Sequence, residues 1–262
     1  VVGVVIRPSI PDDGQHTLEE RLHIAMHETL ADAGLGTQDL EGIVVAANDQ
    51  YDGRAISIMM ASAPLGGVDR DILSTPSAGE HAFVLGALRI ASGQFRTQLV
   101  AAWSPTEASS IPEAQRLGAD PYFHRRLPLD ELAAAALQAS ALEHAAPGAG
   151  VLAAKLLATN RANGARAFPD LVSAAVVPGR PTRWPLHEGM VPPPTTGLVV
   201  MMLASEDFIA ERGLGPVAWI SGMGWATEPA FLGDRDLATA PALQAAVRQA
   251  YGEAGISDPA NA

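Results

Sequence analysis

Asp71-Ile72-Leu73-Ser74-Thr75-Pro76-Ser77-Ala78-Gly79-Glu80-His81-Ala82-Phe83-Val84-Leu85-Gly86 is the stretch that decides the fold class. Asp71–Thr75 reads as a short strand, stopped by Pro76, which cannot donate to a ladder. From Gly79 to about Ala91 the residues are helix formers. Ala82 and Gly86, four apart, make a stripe of small residues on one helical face and let another backbone come close. Gln98–Ala102 is a strand again. Strand, helix and strand in this order are the repeating unit of an α/β sheet.

The alternation continues outward in both directions. Upstream, Ile43–Ala47 is an apolar run expected to be a buried strand, and Arg54 to about Ala63 looks helical. Thr17-Leu18-Glu19-Glu20 is a capping box, with Thr17 as N-cap. It opens a helix to about Ala33 that Gly34 should terminate. Val1–Ile6 is a continuous apolar run, as in a strand buried on both faces. Downstream, residues 104–195 read as an insertion. It begins as a loop with Pro105, Pro112 and Pro121, and continues with helices near Asp130–Glu143 and Gly150–Thr159. It closes in proline-braced loops around Arg180–Pro185 and Pro192–Pro194. Gly197–Leu203 is the most apolar strand, and Ser205 caps a short helix that ends near Gly213.

The chain of 262 residues carries 17 Lys plus Arg against 29 Asp plus Glu, a net charge of −12. That balance opposes binding to a phosphate backbone, so nucleic acid is not an expected partner. No apolar run reaches the roughly 18 residues of a membrane span. The start lacks the basic region of a signal peptide, and the expectation is a cytoplasmic protein. There are no cysteines, which removes disulfides, thiolate metal sites and any cysteine nucleophile. His23 and His27 have helical metal-ligand spacing, but no third ligand stands nearby, and they read as a solvated face. Gly222-Met223-Gly224 lacks the third glycine and the helix start of a dinucleotide site. Ser77 lacks the leading glycine of a nucleophile elbow and reads as a helix N-cap. His81 sits at a strand-to-helix junction, where α/β proteins keep their sites.

The tail echoes the start. Pro216–Gly222 looks like an opening strand, as Val1–Arg7 does. A loop and a helix follow, ending Ala254-Gly255-Ile256 where the first helix ends Ala33-Gly34-Leu35.

Pro76-Ser77-Ala78-Gly79-Glu80-His81-Ala82, then Arg89–Gly93 and the strand Gln98–Ala102, resembles the nucleophile helix of the thiolase superfamily. Gly79, Ala82 and Gly93 match the family's helix. The later stretches are most similar to the sterol-carrier-protein type of thiolase. Leu157–Asn163 looks like its Asn-Arg-x-Asn helix end, and Gly197–Ser205 like its apolar strand. Gly222–Pro229 followed by Arg235–Leu237 looks like the opening of its second half. The resemblance covers nearly the whole chain and about the first two thirds of the family's pattern. It implies an α/β thiolase-like fold: a βαβαβαββ half with an inserted helical loop domain, then a second half begun and incomplete. The halves would be 1–213, with the insertion at 104–195, and 214–262. A mixed sheet holding all five strands is expected, and the helix from Gly79 should be the most buried, because its Ala/Gly stripe and the apolar Phe83, Val84 and Leu85 leave little polar face.

The departures bear on function. Pro76 stands at the position of the nucleophilic cysteine, and proline cannot form a thioester. The family's other catalytic segments belong to a later part of its pattern, expected beyond Ala262. The resemblance implies two readings. One is a retro-aldolase cleaving a β-hydroxyacyl-CoA thioester, paired with a small OB-fold, zinc-ribbon partner. The other is a non-catalytic thiolase-like subunit or acyl-CoA or lipid-binding protein. A retro-aldol step needs a general base and an enolate-stabilising donor pair, not a thiolate. The expected pocket lies between the start of the Gly79 helix and the insertion, walled by Pro76, Ser77, His81, Tyr122 and His124. The ligand is an acyl-CoA, with no other cofactor and no metal. The short strand Asp71–Thr75 would leave an open edge, so a homodimer or heteromer is expected.

Overall fold

A computed structural model describes residues 1–7, 15–53, 55–76, 78–104, 111–127, 129–169, 181–191 and 197–261. Arg54, Ser77, Pro105, Arg180 and Pro192–Pro194 therefore lie outside the described residues. The elements in chain order are β1 (Gly3–Arg7), α1 (Leu18–Asp32), β2 (Gly42–Ala46), α2 (Asp49–Asp52), α3 (Ser57–Ser62), β3 (Asp71–Thr75) and α4 (Gly79–Ala91). Next come β4 (Thr97–Trp103), α5 (Ile111–Gly118), α6 (Glu131–Ala145), α7 (Ala149–Ala167), β5 (Pro181–Arg183) and β6 (Leu186–His187). The last are β7 (Leu198–Ala204), α8 (Glu206–Arg212) and α9 (Pro241–Ala254). The chain forms two compact units, one of residues 1–109 and 195–220, the other of 110–194 and 221–262.

The first unit is an α/β layer on a mixed five-stranded sheet of order β1-β7-β4-β2-β3. β2 is parallel to both β3 and β4, while β7 is antiparallel to β4 and β1. The five strands thus share one sheet, as expected. β2 is buried along its whole length, which explains its unbroken Gly-Ile-Val-Val-Ala run. Ile43, Val45, Leu99, Val200 and Met202 face α1, and Leu22, Met26 and Leu30 pack onto them. On the opposite face Gly86 brings α4 down onto Val100. A Cβ at that glycine would stand 2.6 Å from Val100 Cγ2.

The structure corrects several expectations. Val1–Ile6 is not buried on both faces: β1 is an edge strand, and Ile6 and Arg7 are exposed. The helix expected from Arg54 to about Ala63 is shorter, α3 at Ser57–Ser62, and a separate short helix, α2, precedes it. Gly53, in the left-handed conformation at φ 66°, ends α2. The most buried helix is α1, not α4. α1 buries Leu18, Leu22, Ala25, Met26, Thr29 and Leu30, whereas α4 buries Ala82, Gly86 and Ala87. The small-residue stripe brings α4 close on one side, while Phe83, Val84 and Leu85 remain only half-buried.

The second unit is mostly helical. The loop expected after Ser104 contains α5, and within the close of the insertion Pro181–Arg183 and Leu186–His187 form the two-stranded ribbon β5–β6. α7 runs well past the expected Thr159. Residues 221–224 lie against α9. Cβ atoms at Gly222 and Gly224 would run into the carbonyl oxygens of Ala250 and Ala246. Pro216–Gly222 is not a strand as expected. Val217 and Ala218 both donate to Val1 O, at 2.9 and 3.4 Å, and no ladder follows. An extended segment without a neighbouring strand has no register to complete.

The matching helix stops are the same motif three times. Gly34, Gly213 and Gly255 take φ of 68°, 62° and 69°. In each case the next residue's N–H returns to a carbonyl one turn back: Leu35 to Leu30, Leu214 to Ile209, and Ile256 to Tyr251.

In the α6–α7 hairpin, Glu143 accepts from Gly148 N at 2.8 Å and from Gly150 N at 2.7 Å. The Gly148 N–H first, and then that of Gly150, hold the Glu143 carboxyl below its ordinary value near 4.5. A depressed carboxyl contributes stability that is complete above the unfolded pKa and is lost as pH falls through the lower folded value. Urea midpoints should therefore fall on acidification more in the native protein than in Glu143→Gln. Equal slopes below pH 4.5 would contradict the assignment.

Candidate functional site

In a parallel sheet the carboxyl ends of the strands gather the loops that open the following helices, and ligands bind there. In the first unit this edge is formed by the ends of β2, β3 and β4 and the start of α4. Thr75 is the last residue of β3 and Pro76 follows it directly. α4 begins at Gly79, packed against the end of β4, where a Cβ on Gly79 would stand 2.8 Å from Ala102 Cβ. Its N-cap is Ala78, which offers no side-chain acceptor. Ser77, expected as that cap, is therefore one residue off and lies outside the described residues. The His81 N–H donates to Ala78 O at 3.1 Å, and the His81 side chain is exposed on the first turn. Pro76 is exposed beside it.

α2 ties the three strand ends together. Asn48 follows β2 closely and caps α2, its Oδ1 accepting from Gln50 N at 3.0 Å and Tyr51 N at 3.3 Å. Its Nδ2 donates to Pro76 O at 3.1 Å. At the other end of α2, the buried Asp52 accepts from Trp103 Nε1 at 3.1 Å, where β4 ends. Asp49 Oδ1 accepts from Ser57 N at 2.8 Å and joins α2 to α3. The edge thus offers a histidine, a fixed amide and the open first turn of a helix, and no acidic thiol. That set can bind a polar acyl end and move a proton, but it cannot hold an acyl group covalently on sulfur.

Pro76 and His81 stand at this edge of the first unit. Tyr122 and His124 belong to the second unit, in the turn after α5. Asp120 Oδ1 accepts from Tyr122 N at 3.0 Å and Phe123 N at 2.7 Å and holds that turn. Tyr122 is 82% exposed, whereas His124 is 7% exposed, its ring stacked on Phe231 with centroids 4.9 Å apart. His23 and His27 are both exposed and touch edge to face, and His23 Nδ1 lies 3.3 Å from Pro64 O. Among the described residues no three His, Asp or Glu side chains gather as a metal would require.

Asn48, Asp52 and Trp103 were not among the expected site residues. Asn48 followed by Asp49 is an N-cap signature, and placing a helix start there would have found it. Nothing in the spacing of Asp52 and Trp103 announces their contact, because it depends on how α2 folds over the sheet edge.

A scan against protein-family models finds no match, and no curated protein matches the chain. Among solved structures the chain is similar to an aldolase described as the Ltp2-ChsH2(DUF35) aldolase. The identity is 17% and the TM-score 0.71, over 97% of this chain and 69% of that one. At that identity the likeness speaks for the fold. Among the described residues no helix is long and apolar enough to cross a membrane.

Proposed function

We propose that this chain is a thiolase-like subunit of a retro-aldolase, cleaving the carbon–carbon bond of a β-hydroxyacyl-CoA thioester without an acyl-enzyme. The observation that carries the reading is the fold shared with an aldolase over nearly the whole chain. Pro76 at the family's nucleophile position, and the absence of cysteine, support a step that needs no thiolate. A base takes the β-hydroxyl proton, the hydroxyl carbon becomes a carbonyl, and the bond to the α-carbon breaks. Its electron pair forms the thioester enolate, which is protonated to a shorter acyl-CoA. His81, exposed on the first turn of α4 at that edge, is the candidate base. The first turn of α4 supplies N–H donors at the same place. The remaining walls of the expected pocket, Ser77, Tyr122 and His124, belong to the same proposal, with the acyl-CoA as ligand and no further cofactor.

The partner in this reading is a small OB-fold, zinc-ribbon protein, in keeping with the two-component name of the aldolase it is similar to. Among the described residues β3 lies at the sheet edge with one side of its ladder unpaired, so pairing with a second copy or a partner would cover it. A cytoplasmic location goes with a coenzyme A substrate. The domain reading stays with it: a first half at 1–213 containing the insertion 104–195, and the opening of a second at 214–262.

The alternative is a non-catalytic thiolase-like subunit or acyl-CoA or lipid-binding protein, which the missing nucleophile favours directly. Turnover separates the two. The full-length protein with its partner is given a β-hydroxyacyl-CoA, and the shorter acyl-CoA and the carbonyl product are measured. Formation of both in equal amounts is expected. Saturable binding of the thioester without either product would leave the non-catalytic reading standing.

A further inference from the structure

We propose that Asn48 is a positioning residue: its side-chain amide fixes where Pro76 and the first turn of α4 stand, and so where a thioester would meet that edge. The inference rests on the aldolase reading for its kinetic part only.

The parallel ladder between β2 and β3 ends with Ala47 N donating to Thr75 O at 3.1 Å. Beyond that point the two chains diverge, one into α2 and the other towards α4. Pro76 has no N–H to offer, and its carbonyl would be left facing the turn. The Asn48 amide carries the ladder one step further, donating Nδ2 to Pro76 O while Oδ1 caps α2. Only a group with a donor and an acceptor on one short stem does both. The two backbone N–H groups at one end and the carbonyl at the other also fix which way the amide is turned. α2 is held at its far side by Trp103 Nε1 on Asp52. The clamp therefore transmits the position of β2 and β4 to the loop that precedes α4.

Asn48→Asp and Asn48→Ala divide the two jobs. The aspartate keeps the cap but, ionised, cannot donate to Pro76 O. The alanine loses both. Hydrogen exchange at the amides of residues 79–82 and steady-state kinetics against pH are measured on the full protein with its partner. Loss of one hydrogen bond of ordinary strength speeds exchange and lowers kcat by about tenfold. In Asn48→Asp, α2 should stay protected while the start of α4 exchanges faster. The kcat should fall with KM little changed. Relative to native protein, that kcat should recover as pH falls towards the carboxyl range of about 4, where the protonated acid can donate again. Asn48→Ala should lose protection in both places and show no acid recovery. Unchanged exchange at 79–82 overturns the proposal, and so does faster exchange with unchanged kcat. If the native protein turns over no β-hydroxyacyl-CoA, the aldolase reading fails, and exchange at 79–82 alone decides whether Asn48 holds the start of α4.

Discussion

Incubated with acetyl-CoA, the native protein is expected to keep its intact mass, while Pro76→Cys gains one acetyl group. Acyl transfer to an enzyme needs a thiolate that attacks the thioester carbonyl as the bond to coenzyme A breaks. The chain has no cysteine to supply it. The setting is nevertheless present. Pro76 lies two residues before the Ala78 N-cap of α4, and among the described residues no side chain caps that helix. A helix N-terminus lowers a thiol from its ordinary value of about 8.5, so a cysteine there would carry more thiolate at neutral pH than a free one. The contrast is all or none and is read by mass spectrometry, with hydroxylamine releasing a thioester. A native protein that gains an acetyl group, and loses that ability in Ser77→Ala, would show that a serine does the nucleophile's work. If Pro76→Cys gains nothing, acetyl-CoA does not reach the start of α4.

Gly224→Ala should destabilise the second unit by about 3 kcal/mol, the upper end for overpacking, because the obstacle is backbone and not a side-chain tip. The new methyl would meet the Ala246 carbonyl oxygen of α9, and a helical carbonyl cannot turn aside without breaking its own ladder. Gly222→Ala meets Ala250 O one helical turn further on and should behave alike. Gly252→Ala is the control. It lies on the same helix with open space around its Cβ position, and should gain up to about 1 kcal/mol from helix propensity. Urea unfolding followed by the fluorescence of Trp225, next in the chain, reads all three. Equal midpoints for Gly224→Ala and Gly252→Ala would show that residues 221–224 do not rest on α9.

What could be read from the sequence was what local chemistry decides. Thr17 and Glu20 form the capping box in both directions, with Glu20 N donating to Thr17 Oγ1 at 3.2 Å and Thr17 N to Glu20 Oε2 at 2.8 Å. Asp71–Thr75 and Gly79–Ala91 have the bounds that their residue patterns imply. The misreadings arose where distant partners decide. An apolar run such as Val1–Ile6 looks the same at an edge as in the middle of a sheet, and only the strand order separates the two. α4 is apolar enough to be deeply buried, yet burial depends on what lies against its second side. Pro216–Gly222 has strand-like residues and lacks a partner strand. At the candidate site, His81 and Pro76 were visible as a junction. The Asn48–Pro76 bond was not, because it joins residues from two loops that meet only when β2 and β3 are paired.

The sheet order also dictates a timetable. β2, β3 and β4 pair through short crossovers and need nothing beyond Trp103. β1 must wait, because among the described residues its partner in the sheet is β7 alone: Gly3 lies opposite Met202 and Arg7 opposite Leu198. α1 waits with it, since the Leu22–Met26 face packs on Val200 and Met202, and Thr29 Oγ1 reaches Val200 O at 3.3 Å. On a ribosome adding roughly 5–20 residues per second, the gap between Trp103 and Leu198 lasts about 5–20 s. Throughout that interval the growing chain carries the unsheltered apolar face of α1 and a β4 paired only with β2, whose open side is a template for joining a neighbour's chain. Placing the late antiparallel strand between two early ones makes the nascent protein a natural client of holding chaperones. It also makes speed of synthesis through the 104–195 insertion a determinant of yield.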